Sequence, residues 1–177
     1  YMKKINIFLI LIFSLNSFSM VIDNLDDIRG DWVSISDQVM GGISEGGLFE
    51  IQEDGKNFYR LEGVVSTANN GGFLQAQLRN KNSSQVYKGL KLTVRGTNDN
   101  YYVWIRTPQC RFPWDRYLVS FLPTSDWQTI YIPFEDFKKS NVYMRKKMNL
   151  KQIRTIALAA YGKDFNAQLD IANIEFY

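Results

Sequence analysis

Apolar and polar residues alternate along most of this chain with a period of two. Leu90-Lys-Leu-Thr-Val94 puts three aliphatics on one side. Phe73 to Arg79 sets Phe73, Gln75 and Gln77 against Leu74, Ala76 and Leu78. Phe58 to Ser66 sets Phe58, Arg60, Glu62 and Val64 against Tyr59, Leu61 and Val65, with Gly63 read as a bulge. Successive side chains of a strand point to opposite faces, so this pattern predicts half-buried strands. The same reading covers Trp32–Ile35, Tyr101–Arg106, Tyr117–Leu122, Trp127–Ile132, Thr155–Ala160 and Leu169–Phe176. Gly, Asn, Asp and Pro punctuate the runs, as turns require. Helix is confined to single turns at Phe134–Phe137, behind Pro133, and at Asn149–Gln152. Short strands at this spacing predict an all-β fold, a jelly-roll β-sandwich of two antiparallel sheets. Its core is rich in rings, since 15% of the residues are Phe, Trp or Tyr.

The first residues follow another pattern. Met2-Lys3-Lys4 is basic, Ile5 to Phe13 is almost wholly apolar, and Ser17-Phe18-Ser19 is a small-x-small site. Residues 1–19 therefore read as a secretory leader, with an uncleaved N-terminal anchor as the alternative. Residues 20–177 form one β-sandwich domain with no membrane span, exported to the periplasm or beyond, or held at the inner membrane. Losing Lys3 and Lys4 takes Lys plus Arg from 21 to 19 against 18 acids, so net charge falls from +3 to +1. A nucleic-acid partner is not expected from so balanced a chain. Arg145-Lys146-Lys147, with Lys138-Lys139 nearby, reads as a solvated loop.

There is no histidine, and Cys110 is the sole cysteine. Ser-His-Asp triads, Cys-His pairs, His-ligated zinc and an intramolecular disulfide are thereby excluded. No cofactor is expected. Cys110 reads as a half-buried loop residue without redox function.

Three segments sit at the joints between strands. Asp37-Gln-Val-Met-Gly-Gly-Ile-Ser44 combines an acid suited to an Asx-turn with two glycines, after which Ile43 enters a strand. Asn69-Asn-Gly-Gly-Phe73 has the composition of a hairpin turn, and its amides could also meet a ligand. Ile132-Pro-Phe-Glu-Asp-Phe137 ends a strand at Pro133 and aims two Phe rings at the core, while Glu135 and Asp136 diverge. In this order and spacing, the three segments resemble the complex I intermediate-associated protein 30 family. Gly63-Val-Val-Ser66, Gly89-Leu90, Val94-Arg95-Gly96 and Trp127-Gln128 extend the resemblance across Trp32–Phe176. It implies a galactose-binding-like β-sandwich, similar in shape to carbohydrate-binding modules. It also implies an assembly role like that of the family's mitochondrial members, which are respiratory complex I chaperones, and no catalytic residues.

The residues suited to recognition lie between Tyr101 and Tyr117. Tyr101, Val103 and Ile105 make the better core face, leaving Tyr102, Trp104 and Arg106 toward a sheet surface. The following loop adds Trp114 and Asp115, and Asn69 and Asn70 are outer candidates. Rings beside a guanidinium and a carboxylate suit either a sugar platform or a protein hot spot. The expectation is a non-catalytic binding or assembly module for a protein, such as a membrane-complex subunit, or for a glycan. Two further readings stay open: a carboxylate enzyme using Asp37 or Asp115, and a structural calcium held by Asp37 or Asp170.

Overall fold

The computed structural model describes residues 19–23, 32–80 and 86–177, so the leader, apart from Ser19, lies outside the described residues. Within them the strands are β1 (Met20–Asp23), β2 (Trp32–Ser36), β3 (Glu45–Glu53), β4 (Lys56–Val65), β5 (Phe73–Arg79), β6 (Gly89–Gly96), β7 (Tyr101–Arg106), β8 (Tyr117–Phe121), β9 (Gln128–Pro133), β10 (Lys138–Lys139), β11 (Thr155–Tyr161) and β12 (Phe165–Phe176). They form two antiparallel sheets. The first runs β3-β4-β12-β6-β9, with β1 also on β12, and the second runs β10-β8-β7-β11-β5-β2. The all-β sandwich read from the alternation is the observed architecture.

The alternating aliphatics meet between the sheets. Leu90, Leu92 and Val94 of β6 face Tyr101, Val103 and Ile105 of β7 and Ile156, Leu158 and Ala160 of β11 within one core. Tyr101 is fully buried, and its hydroxyl accepts from the Gln168 amide at 2.9 Å and contacts Thr97 at 2.6 Å. A buried phenol is tolerated because its polar end is paired. β12 changes inward parity part way along. Leu169 and Ile171 face in, and after a bulge between Ile171 and Asn173 so do Ile174 and Phe176. One extra residue shifts a period-two pattern by half a cycle, which keeps both halves of β12 apolar on the core side. Phe134 and Phe137 join the core as the sequence predicts, with ring centroids 6.3 Å apart. Cys110 is more deeply placed than expected and packs in the same core.

Two readings around β3 and β4 need correction. Gly63 is not a bulge: the β3–β4 ladder passes through Gly46↔Gly63 in unbroken register. A Cβ on Gly63 would lie 2.6 Å from the Gly46 Cα and 2.8 Å from Leu74, so glycine here permits close backbone approach. Ile43 does not itself enter a strand: β3 begins two residues on, at Glu45, and the alternation does not reveal it. Glu45, Gly46, Gly47, Glu50 and Glu53 dilute its alternation, leaving Leu48, Phe49 and Ile51 as its apolar residues.

Asp37 ties the two glycine-rich segments together. It is fully buried in a short 3-10 turn, Asp37–Met40. Its carboxylate accepts from the Ser44 amide at 3.0 Å, the Ser44 hydroxyl, the Gly72 amide and the Phe73 amide at 3.1 Å. Burial opposes ionisation of Asp37, but these donors outweigh it and hold the carboxyl below its ordinary range. Side chains at Gly42 or Gly71 would collide with the carboxylate, at 2.4 and 2.5 Å. The pattern Asp37…Gly41-Gly42…Ser44 with Gly71-Gly72-Phe73 is therefore one backbone knot. Asn69 and Asn70 take left-handed φ angles of 56° and 58° in the adjoining turn, as their residue types predict, but the turn is no hairpin: it carries the chain from β4 in the first sheet to β5 in the second.

Candidate functional site

The outward face of the second sheet gathers the distinctive side chains. Tyr102, Trp104 and Arg106 alternate outward on β7, opposite the inward Tyr101, Val103 and Ile105. Across β11 the partners of Trp104 and Tyr102 are Ala157 and Ala159, whose small side chains leave room for large rings. The rings pack edge to face: Trp104 lies 5.8 Å from Phe73 and 5.3 Å from Tyr161, and Tyr161 lies 5.6 Å from Tyr102. Trp104 is not the exposed platform expected from the alternation. It is 4% exposed, because Arg116 lies across it with the guanidinium carbon 3.9 Å from the ring centroid.

Arg116 is the residue sequence reasoning missed. It precedes β8, whose outward positions Leu118 and Ser120 pair with Trp104 and Tyr102. Its face is fixed by that register, which no local pattern reveals. The guanidinium is half-buried, and no carboxylate among the described residues pairs with it. Burial pulls its pKa below the ordinary arginine value; Tyr161 opposes that pull and Arg106 reinforces it. Two buried donors here, Arg116 Nε and Trp104 Nε1, have no hydrogen-bond partner. Unpaired buried donors are costly, so each calls for an explanation. A groove of about 1290 Å³ continues from Tyr102 and Leu118 past Ser120, along the part of β8 that short β10 leaves unpaired. Its walls carry Lys138, Lys139 and Lys147 on one hand and Glu135 and Asp136 on the other.

The other predicted site residues are dispersed. Asp115 is fully buried and serves as a hub. It accepts from the Arg111 and Phe112 amides at 2.9 and 3.0 Å, from Asn141 at 2.9 Å and from the Tyr143 hydroxyl at 2.5 Å. Those donors outweigh desolvation and depress its pKa, and the same contact raises that of Tyr143. Asp115 thus shapes its loop, with its carboxylate buried among protein donors. Trp114 is 54% exposed and stacks on Phe112 with centroids 5.1 Å apart, while its indole donates to Tyr143 at 3.2 Å. Arg106 donates to the Phe112 carbonyl at 2.9 Å, joining the sheet face to this loop. Asn69 and Asn70 are exposed at the opposite end of the sandwich, because β5 begins beside them and ends level with Arg106.

Asp37 and Asp170 have their oxygens committed to protein donors. Asp170, fully buried, receives Arg60 at 2.6 and 2.8 Å and Arg95 at 2.8 Å. Asp37 lies at the Asn69–Asn70 end and Asp115 at the other, so these two carboxylates do not converge on one pocket. Among the described residues, no group of three or more His, Cys, Asp or Glu could hold a metal ion. Among them, too, no helix is long and apolar enough to cross a membrane.

The fold is that of carbohydrate-binding modules. A family 11 carbohydrate-binding module from Clostridium thermocellum, in complex with a beta-1,3-1,4-mixed-linked tetrasaccharide, superposes with a TM-score of 0.73. It shares 15% identity over 89% of this chain and 94% of the module. A family 30 module of a cellulosomal cellulase of the same organism gives 0.65, at 15% identity over 90% and 97%. These identities establish the shared fold alone. The chain belongs to the family described as complex I intermediate-associated protein 30, which it matches over residues 22–171. No curated protein matches it in sequence.

Proposed function

We propose that this chain is a non-catalytic binding module of the assembly-factor kind, exported by its leader. It engages a protein partner through the outward face of the second sheet. The observation that carries the reading is Arg116: a half-buried cation without an acid, laid on Trp104, with one unpaired donor on each residue. A partner carboxylate or carbonyl arriving there would satisfy a charge and a donor left open by the fold. Charge-assisted hydrogen bonds in a partly desolvated pocket are the strong kind, and arginine beside aromatic rings is the usual composition of an interface hot spot. Family membership supports a protein as the partner. Tyr102 and the adjoining groove widen the contact, and Arg106 links it to the loop bearing Trp114.

A second reading, a glycan ligand, is favoured by the groove itself. It offers a half-buried Tyr102 with lysines and carboxylates along an open strand edge, and the family 11 module of like fold is in complex with a tetrasaccharide. One experiment addresses both. Tagged protein is purified from its native cells with detergent-solubilised membranes included, alongside the Arg116→Met variant. In parallel, both are titrated with mixed-linked β-glucan oligosaccharides by calorimetry. A specific protein recovered with the wild type and lost with Arg116→Met supports the first reading. Heat from oligosaccharides with no protein recovered replaces it with the second. Capture that is indifferent to Arg116→Met rejects the site.

A further inference from the structure

We propose that the tip formed by the β7–β8 loop and residues 140–149 docks on an anionic phospholipid surface. Its exposed rings and cations do not include the Arg116 side chain, which lies across Trp104 on the sheet face. Four side chains that a folded protein normally hides are held outside here. Phe112, Trp114, Val142 and Tyr143 are 45%, 54%, 90% and 55% exposed. They form one patch: Phe112 stacks on Trp114, and Tyr143 meets Phe112 edge-on with centroids 6.0 Å apart.

The exposure is built into the structure. Buried Asp115 ties both loops together through four donors. Trp114 donates to Tyr143, and Lys139 donates to the Val142 and Met144 carbonyls, the latter at 3.0 Å, holding Val142 outward. A rigid scaffold that presents rings and an aliphatic marks a contact surface, since scattered exposed apolars need no such support.

The charge around the patch selects the occupant. Residues 138–154 contain seven lysines and arginines and no acid. The one acid in the β7–β8 loop is Asp115, which is fully buried. Arg111, Arg145, Lys146 and Lys147 are exposed beside the rings, and none has an ion-pair partner among the described residues. Seven of the chain's 21 lysines and arginines thus fall in this one stretch beside the rings. Sugar recognition would want exposed acceptors among the rings, and the patch offers no carboxylate. A protruding aliphatic with Trp and Tyr beside unpaired cations matches the layering of a lipid interface: apolar tips below, aromatics at headgroup depth, cations against phosphate. Ser19, hydrogen-bonded to Glu175 at 2.7 Å, lies at this same end, since Phe176 pairs with Leu90 and Phe134 bonds Lys88. A leader kept as an anchor and the tip would therefore address one membrane.

The test is co-sedimentation of the protein recovered from its native cells with two kinds of vesicle. One is equal parts phosphatidylglycerol and phosphatidylcholine, the other phosphatidylcholine alone. Binding is expected to the anionic vesicles, to weaken with salt, and to shift Trp114 emission to the blue, a shift missing in Trp114→Phe. Arg145→Gln with Lys146→Gln and Lys147→Gln is expected to weaken binding roughly a hundredfold. Trp114→Ala with Val142→Ser is expected to cost roughly tenfold. Val39→Ser removes another openly exposed aliphatic, at the far end, and is expected to change nothing. Lys147→Gln alone, whose side chain has no partner among the described residues, keeps the test readable should the triple variant fold poorly. Arg116→Met is expected to bind vesicles normally, which separates failure here from failure of the binding module reading. Equal binding to both vesicles overturns the proposal, as does no binding at low salt. So does binding that free polyglutamate displaces and that Trp114→Ala leaves intact, because that outcome identifies an acidic protein surface as the target.

Discussion

The two outward sheet faces place arginine on aromatic rings in opposite ways. On the first sheet, Arg95 lies 5.1 Å from the Phe58 centroid and 4.8 Å from Trp127, with Arg60 5.7 Å from Phe58. Both guanidiniums close on buried Asp170, and Arg95 also meets Glu53. On the second sheet, Arg116 covers Trp104 and Tyr161 with no acid beside it and with donors left over. The ring–guanidinium contact is alike on both; the counter-charge differs. A network whose donors and acceptors cancel is a strut, and its value is spent inside the molecule. A network with surplus donors keeps affinity for something outside it.

The largest expected effect tests the strut. Asp170→Asn leaves Arg60 on Phe58 without its anion and Arg95 with Glu53 alone. A loss of about 3 kcal/mol in unfolding free energy is expected. That is the low end for a broken buried pair, because the arginines keep side-chain exposures of 22% and 23%. Denaturant titration should show a lower midpoint with an unchanged slope. A loss below about 1 kcal/mol would erase the distinction between the faces.

Next comes the open side. Arg116→Met keeps the ring covered and removes a charge that has no acidic partner among the described residues, so stability should move by less than about 1 kcal/mol in either direction. Partner capture should nevertheless fall tenfold or more. A variant that unfolds instead would show Arg116 to be a second strut.

The smallest effect concerns acid. Asp37 and Asp115 have folded pKa values depressed below their unfolded ones. For such groups the unfolded chain binds protons first as pH falls, so their stabilisation is complete above the unfolded value, about pH 4. It is lost as pH drops through the folded values. Thermal melts should show this loss only below about pH 4. The difference between wild type and Arg116→Met should stay flat across the same range, since no described carboxylate contacts Arg116. A difference that grew in acid would reveal a counter-ion on the open face.

Several parts of this were legible in the chain. Tyr101, Val103 and Ile105 announced the core side of β7, and so placed Tyr102, Trp104 and Arg106 outward. Asp37 with its glycines read as backbone architecture, and the knot around its carboxylate shows why. Burial was not legible. Trp104 points outward as its parity demands, yet it is hidden by Arg116, which reaches it only through the pairing of β8 with β7. Asp115 looked like a ligand because it sits among Arg111, Phe112 and Trp114; Asn141 and Tyr143, 26 and 28 residues on, claim it instead. Trp114 alone among the predicted rings is openly exposed, and its exposure depends on that same long-range hub.

By itself the sequence determined the elements: period-two patterning, turn residues and apolar content are local properties, and they specify an all-β sandwich without reference to distant partners. The tertiary structure alone decided which outward residues stay open. Pairs such as Arg60 with Asp170 lie 110 residues apart. Whether a polar group meets its complement depends on strand register, which sets which chain segments lie opposite one another in space.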